Sequence, residues 1–137
     1  MGLNTDELYS LCARDGIEVH SIKCPHSNAI SMDIGGVKFI GMDRSVFKSA
    51  YNERLVLAHE LSHAQTGAYY SDGENPINVK RMEFRAKKRT VELLIPLNEL
   101  EPLLCDDVTV FDLAEHFSVP EDLIKAAMWF YFKKEIA

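Results

Sequence analysis

The chain has 137 residues, of which 47% are hydrophobic and 26% are charged. This balance excludes a disordered or fibrous chain, and the length suits one domain with a buried core. The formal net charge of −6 argues against general attraction to phosphate backbones, and therefore against direct nucleic-acid binding.

The cysteines and the first residues indicate a reducing compartment. Three scattered cysteines, Cys12, Cys24 and Cys105, form no CxxC pair, so no disulfide framework is expected. The first seven residues include two acids and no basic residue, unlike the start of a signal peptide. No apolar run reaches membrane-spanning length. We therefore expect a cytoplasmic protein without a membrane partner.

The first third of the chain predicts one helix and a small sheet. Asn4 is a helix cap with Glu7 as its capping-box partner, and the helix continues to about Arg14. Residues 17–23 have the composition of a strand, and residues 24–28 form a loop. The segments 29–34 and 37–42 flank Gly35-Gly36, a strong hairpin signal. We predict an antiparallel sheet of about three strands.

The remainder of the chain predicts helices. One covers residues 52–66 and ends at Gly67, and a second covers residues 77–94 and ends before Pro96. Further helices are expected over residues 96–100, 109–117 and 120–134. The predicted fold class is α+β, a small sheet followed by a helical bundle.

The central helix contains the sequence His59-Glu60-Leu61-Ser62-His63. Each residue turns about 100° around a helix, so residues four apart lie only about 40° apart and both histidines face the same way. Two imidazoles one turn apart can bind one zinc ion, and Glu60 lies beside them as a general base. This pattern is typical of a zinc hydrolase. The opposite face carries an apolar stripe of Leu57, Leu61, Ala64 and Ala68.

Zinc needs at least one more protein ligand and an open position, and Glu83 is the best candidate. In the helix over residues 77–94, Glu83 falls inside an apolar stripe, whereas Glu92 falls on the charged face. A buried carboxylate must be paired or metal-bound. The alternatives are that Glu83 pairs with an arginine or caps a helix, or that the ligand is Asp72, Glu74 or His116. We expect His116 to be a half-buried structural residue.

Two segments resemble the ImmA/IrrE-type metallopeptidases. Arg54-Leu55-Val56-Leu57-Ala58-His59-Glu60-Leu61-Ser62-His63-Ala64 looks like the active-site helix of that family. Glu83-Phe84-Arg85-Ala86, followed by Val91-Glu92-Leu93-Leu94-Ile95-Pro96, looks like its downstream signature, and Glu83 falls on the family's glutamate ligand. The resemblance implies a zinc endopeptidase that cleaves or inactivates a helix-turn-helix transcriptional repressor of a phage, mobile element or stress operon.

Three positions depart from the family pattern. Lys87 and Arg89 replace the usual Asn and Phe, and Ser62 replaces a usual Gly. A lysine cannot accept a hydrogen bond from a metal-bound imidazole, so either catalysis is weakened or another group holds the histidine. Weakened catalysis would favour a metal-binding partner that inactivates a repressor without cleaving it. A further alternative is the toxin of a toxin–antitoxin pair.

The predicted mechanism uses one zinc ion held by His59, His63 and Glu83, while Glu60 takes a proton from the attacking water and passes it to the leaving amine. The donor to the oxyanion stays open among Tyr69, Tyr70, His26 and Arg85. The Cys24 thiol is a further candidate ligand, and no substrate-binding residue is predicted.

Residues 110–121 resemble the first half of a helix-turn-helix. The helix that follows offers Lys125 but no arginine to read base edges, which favours packing or protein docking. We predict one metallopeptidase domain, 1–137. It comprises a helix and small sheet at 1–43, the metal-site helices at 44–96, and helix-turn-helix-like helices at 97–137.

Overall fold

The computed structural model describes residues 1–24, 27–69 and 73–137. Three strands in this part of the chain form one sheet, namely β1 (Glu18–Ser21), β2 (Ala29–Ile34) and β3 (Val37–Met42). β2 and β3 form the predicted antiparallel hairpin. Gly35 and Gly36 make its turn with φ angles of 59° and 87°, because a two-residue hairpin turn of this kind requires left-handed residues.

The sheet is mixed, because β1 pairs with β3 in parallel. This differs from the wholly antiparallel sheet that we predicted, although the α+β fold class is confirmed. The strand order is β1-β3-β2, so the chain passes from β1 to the far edge before the hairpin returns it to the centre. Side-chain alternation fixes the buried face of a strand but not its neighbour, and the β1 pairing therefore could not be predicted.

Six α-helices lie within the described ranges, each within two residues of its predicted bounds. They are α1 (Thr5–Arg14), α2 (Ala50–Thr66), α3 (Pro76–Leu94), α4 (Leu97–Leu100), α5 (Val110–Phe117) and α6 (Glu121–Phe132). Short 3-10 turns cover Arg44–Val46 and Glu101–Leu103. Among the described residues, no helix combines the length and apolar character needed to cross a membrane.

Local hydrogen bonds explain where the helices begin and end. The Asn4 side chain accepts from the Glu7 amide at 2.8 Å, and the Glu7 carboxylate accepts from the Asn4 amide at 3.0 Å. α2 begins after Ser49, whose hydroxyl accepts from the Asn52 amide at 3.2 Å. It ends at Gly67, which has a φ of 66°. A left-handed glycine reverses the chain there without a steric clash.

The apolar side of α2 lies at the centre of the hydrophobic core. Leu57, Leu61 and Ala64 are fully buried, as their stripe predicts, and they share one core with Ile40 and Met42 of β3. α2 contacts α1, α3, β2 and β3. His59 and His63 therefore lie on a helix that packs against both the sheet and two other helices.

Candidate metal centre

The C-terminal half of α2 presents two imidazole rings to the same side. The Nε2 atoms of His59 and His63 lie 3.2 Å apart, and the ring planes are inclined at 79° with centroids 4.7 Å apart. Residues four apart on a helix are expected to meet in this way. His63 is buried, whereas 43% of the His59 side chain is exposed. The pair is therefore accessible from the His59 side.

Glu83 of α3 joins this pair. Its Oε1 lies 3.3 Å from Nε2 of His63, and its Oε2 lies 3.9 Å from Nε2 of His59. Ligand atoms of the three residues all lie within 4.8 Å of one another, so His59, His63 and Glu83 are close enough to hold a metal ion. The Glu83 side chain is 37% exposed. It is less buried than the apolar stripe predicts because it borders a groove.

The spacing of these atoms fits ligands that surround a single ion. Ligands bound tetrahedrally at about 2.0–2.1 Å from one ion lie about 3.3–3.4 Å apart. The two contacts of His63, 3.2 Å to Nε2 of His59 and 3.3 Å to Oε1 of Glu83, agree with this separation, whereas the 3.9 Å contact of His59 is to the other carboxylate oxygen, Oε2. Two nitrogen donors and a carboxylate also form a donor set that suits a divalent transition metal.

The second ring nitrogen of His63 is held by the backbone. Nδ1 of His63 lies 2.6 Å from the carbonyl oxygen of Ala68. Because a carbonyl can only accept, Nδ1 donates, and the lone pair of the neutral ring lies on Nε2, toward the other two ligands. Gly67 makes this contact by turning the chain back at the end of α2. The sequence contained the glycine signal for the helix end, but we did not predict the hydrogen bond.

Lys87 therefore does not have to hold a histidine. Its side chain is exposed and borders the groove beside the cluster, and the Ala68 carbonyl supplies the acceptor for His63. This removes, for His63, the reason for doubting catalysis that the lysine raised. No described contact assigns an acceptor to Nδ1 of His59.

The other two departures from the family pattern join α2 to α3. Arg89 Nε donates to Oε1 of Gln65 at 2.7 Å. The buried hydroxyl of Thr90 donates to the Ser62 hydroxyl at 2.8 Å, and Ser62 donates to a backbone carbonyl of its own helix. Because all polar groups of this buried pair are used, the pair fixes the two ligand-bearing helices without an unpaired group.

Two of the four candidate oxyanion donors lie in the described residues. Arg85 already donates a hydrogen bond to the backbone, and the Tyr69 hydroxyl is buried. Arg85 Nη2 donates to the carbonyl of Thr66 at 2.6 Å and so stabilises the end of α2. The Tyr69 hydroxyl is buried and has no hydrogen-bond partner among the described residues. Burial raises its pKa, and the charge of Asp33 adds to the rise. Tyr70 and His26 lie outside the described residues.

Glu60, the predicted general base, follows His59 directly on α2 and is half-buried. Cys24 lies close enough to Glu60 for the Glu60 charge to affect the pKa of the Cys24 thiol. Burial raises the pKa of the Cys24 thiol, and the charges of Asp43 and Glu60 add to the rise. Among the described residues, the ligand cluster contains His59, His63 and Glu83 but not Cys24.

The alternative third ligands lie away from this cluster or outside the described part of the chain. Glu74 accepts a hydrogen bond from the Asn78 side chain at 3.0 Å. His116 is exposed near the end of α5, with its ring 4.8 Å from that of Phe117. It is therefore not the half-buried residue that we predicted, because α5 buries its other side. Asp72 lies outside the described residues.

Comparison of the chain with known protein families, with curated proteins and with solved structures finds no match. A function therefore has to be inferred from the residues and geometry of the metal centre.

Proposed function

We propose that this protein is a zinc-dependent endopeptidase. The observation that carries the proposal is the convergence of His59, His63 and Glu83, from two packed helices, on a region small enough for one ion. Two histidines and one carboxylate leave an open coordination position, which is the donor set of many catalytic zinc sites. Ligand type favours zinc over harder ions, which prefer oxygen donors.

Separate residues of the metal centre would orient a ligand, transfer the proton and leave space for the peptide. The Ala68 carbonyl orients the His63 ring so that, in the neutral tautomer, the lone pair of Nε2 faces the other two ligands. A zinc ion bound there would supply a Lewis acid that activates water and polarises a peptide carbonyl. The Glu60 carboxylate accepts a proton at one of its oxygens and delivers it to the nitrogen of the leaving amine. The exposed side of His59 leaves room for the peptide.

The resemblance to ImmA/IrrE-type metallopeptidases supports a specific substrate class. We propose that the substrate is a helix-turn-helix transcriptional repressor and that cleavage takes place in the cytoplasm. Inactivation of a repressor by binding alone, and toxin activity on another target, are the competing functions. They differ from the proposal in whether fragments appear and in which protein is cut.

One experiment with two variants tests the proposal. Purified protein is assayed for zinc by mass spectrometry and for cleavage of the repressor encoded beside its gene on a gel. Glu60→Gln should retain zinc and lose cleavage, by a factor of about 100 or more, because general base catalysis is lost. Glu83→Ala should lose zinc and cleavage together, because a third ligand is removed.

Glu92→Ala is the matched control, since Glu92 lies on α3 and faces solvent; it should keep both zinc and cleavage. Undiminished cleavage by Glu60→Gln would sink the mechanism. Full zinc occupancy in Glu83→Ala would remove Glu83 from the ligand set. Loss of repressor function without fragments would favour the binding-only alternative.

A further inference from the structure

A groove of about 700 Å³ opens directly beside the metal centre. α2, α3 and the start of α6 form its walls, and His59 and Glu83 lie at its border. A chain segment lying in this groove would therefore pass the candidate ligands, which makes the groove a candidate for the substrate path.

The groove has an apolar lining from all three helices, contributed by Leu55, Phe84 and Leu123. Phe84 is 53% exposed, and the edge of its ring system packs against Phe130 with centroids 5.0 Å apart. An exposed aromatic ring fixed by a neighbour presents a large apolar area at little cost in conformational entropy. The lining therefore suits an apolar side chain of a bound segment.

The α3 wall of this groove carries two lysine side chains, Lys80 and Lys87. α3 contains six Lys and Arg residues and two Glu residues, a local charge of +4 in a chain of net charge −6. Lys80 and Lys87 border the groove on either side of Glu83. Neither lysine forms an ion pair with a described residue, and the Glu83 carboxylate lies against the histidines. The two ammonium groups are therefore available to an acidic ligand.

The spacing of the two lysines defines a pattern in such a ligand. Seven residues of an α-helix rise about 10 Å, and three residues of an extended polyproline II chain, which make one full turn, rise about 9 Å. An extended peptide of this type lying along α3 would thus place carboxylates three positions apart on the same side, beside Lys80 and Lys87. A side chain between them would lie next to Phe84.

We propose that the groove binds an extended, acidic segment of the protein substrate in a polyproline II conformation, with two carboxylates three residues apart and a leucine-like residue between them. This inference rests on the proposed function and adds the local sequence that the enzyme selects. The groove suits a peptide better than a nucleic acid, because the carboxylate of Asp122 lies on the opposite wall. A phosphate backbone, charged at every nucleotide, could not avoid Asp122.

Fluorescence anisotropy with a labelled peptide tests this directly. The probe contains Glu-Leu-Ala-Glu within a Ser/Gly sequence, and the protein is zinc-loaded Glu60→Gln, which should not cut it. Lys80→Glu combined with Lys87→Glu should weaken binding by about tenfold or more, since two attractions become repulsions. High salt, about 1 M, should weaken binding by the parent protein as well.

The matched control is Arg81→Glu combined with Lys88→Glu. These residues have the same spacing on α3 and are exposed, but they do not border the groove. This variant should weaken binding by about threefold or less, because its charges act at longer range. Circular dichroism and zinc content should match the parent protein for both variants.

Equal weakening by the two double variants would overturn the proposal, since helix charge alone would then account for binding. Absence of binding, or equal affinity for a peptide with lysines in place of the glutamates, would also overturn it. So would tighter binding of a single-stranded oligonucleotide that competes through Lys80 and Lys87. These readouts measure binding only, so they can fail while the cleavage test succeeds, and the reverse.

Discussion

At the scale of single residues, burial sets the protonation of the Cys12 thiol. Cys12 lies in α1 with 1% exposure, and burial, with a smaller effect of the Asp15 charge, raises the pKa of its thiol to about 11 from 9.0. Below pH 9 the thiol is protonated in both the folded and the unfolded protein, so it adds no pH dependence to stability there. Between these pKa values only the unfolded state loses the proton, and stability falls as pH rises.

We therefore predict that Cys12 destabilises the folded protein by about 2 kcal/mol at pH 11. Urea unfolding under reducing conditions, from about pH 8 to about pH 11, should show a shallower loss of stability in Cys12→Ala than in the parent. Cys105→Ala should keep the parent slope because Cys105 is exposed. Only slopes are compared, since Cys12→Ala also leaves a cavity. Identical slopes for the two variants would contradict the assignment.

At the scale of the element, the end of α2 connects a helix cap to the metal centre. Gly67 has a φ of 66°, and a Cβ added there would meet nothing within 4 Å. The strain of a substitution at this position is therefore conformational and not steric crowding. The same turn brings the Ala68 carbonyl to Nδ1 of His63. A substitution that changes this helix cap should therefore disturb the hydrogen bond that orients the His63 ring.

Gly67→Ala should lower the free energy of unfolding by about 1 kcal/mol, because a side chain disfavours the left-handed region. It should also weaken zinc binding by about tenfold, as loss of an orienting hydrogen bond typically does. Gly67→Asn should have about half the effect on stability, since asparagine tolerates this conformation. Unfolding and zinc competition titrations measure the two effects. Equal losses for Ala and Asn would show that φ is not the cause.

Individual helices, strands and turns also show which features the sequence could predict. Signals close together in the chain gave the right elements: the Asn4–Glu7 capping box, the Gly35-Gly36 turn and the Gly67 helix end. The spacing within α2 placed its two histidines side by side, and the apolar stripe of α3 placed Glu83 toward them. The parallel β1–β3 pairing and the groove were not predicted, because they depend on packing between distant segments that periodicity does not encode.

At the scale of the whole molecule, one buried cation on α2 binds both the first residues of the chain and the end of α5. Arg54 is 8% exposed and forms no ion pair with a described residue. Its guanidinium donates to four backbone carbonyls, those of Met1, Leu3, Phe117 and Ser118, at 2.7–3.1 Å. Two of these acceptors lie at the C-terminal end of α5, where the helix dipole favours a positive charge. Burial lowers the pKa of Arg54.

Arg54→Met should lower the free energy of unfolding by about 3 kcal/mol, because four buried or partly buried backbone acceptors lose their donor. Arg54→Lys should recover only part of this loss, since one ammonium cannot reach acceptors arranged around a planar fork. Arg44→Met is the control: Arg44 is exposed in a 3.4 Å contact with Glu53, and its loss should cost less than about 1 kcal/mol.

Hydrogen exchange separates this coupling from simple loss of stability. In Arg54→Met, amides of the first residues and of residues 117–119 should exchange faster than those of β3 at matched global stability, because these two segments lose a shared hydrogen-bond donor. The His59–His63 pair lies on the same helix but does not contact Arg54's acceptors, so zinc content should be unchanged. Uniform acceleration across the protein would mean that Arg54 contributes stability without linking the two segments. Loss of zinc would mean that the metal centre depends on the contacts of α2 with the first residues and with the end of α5.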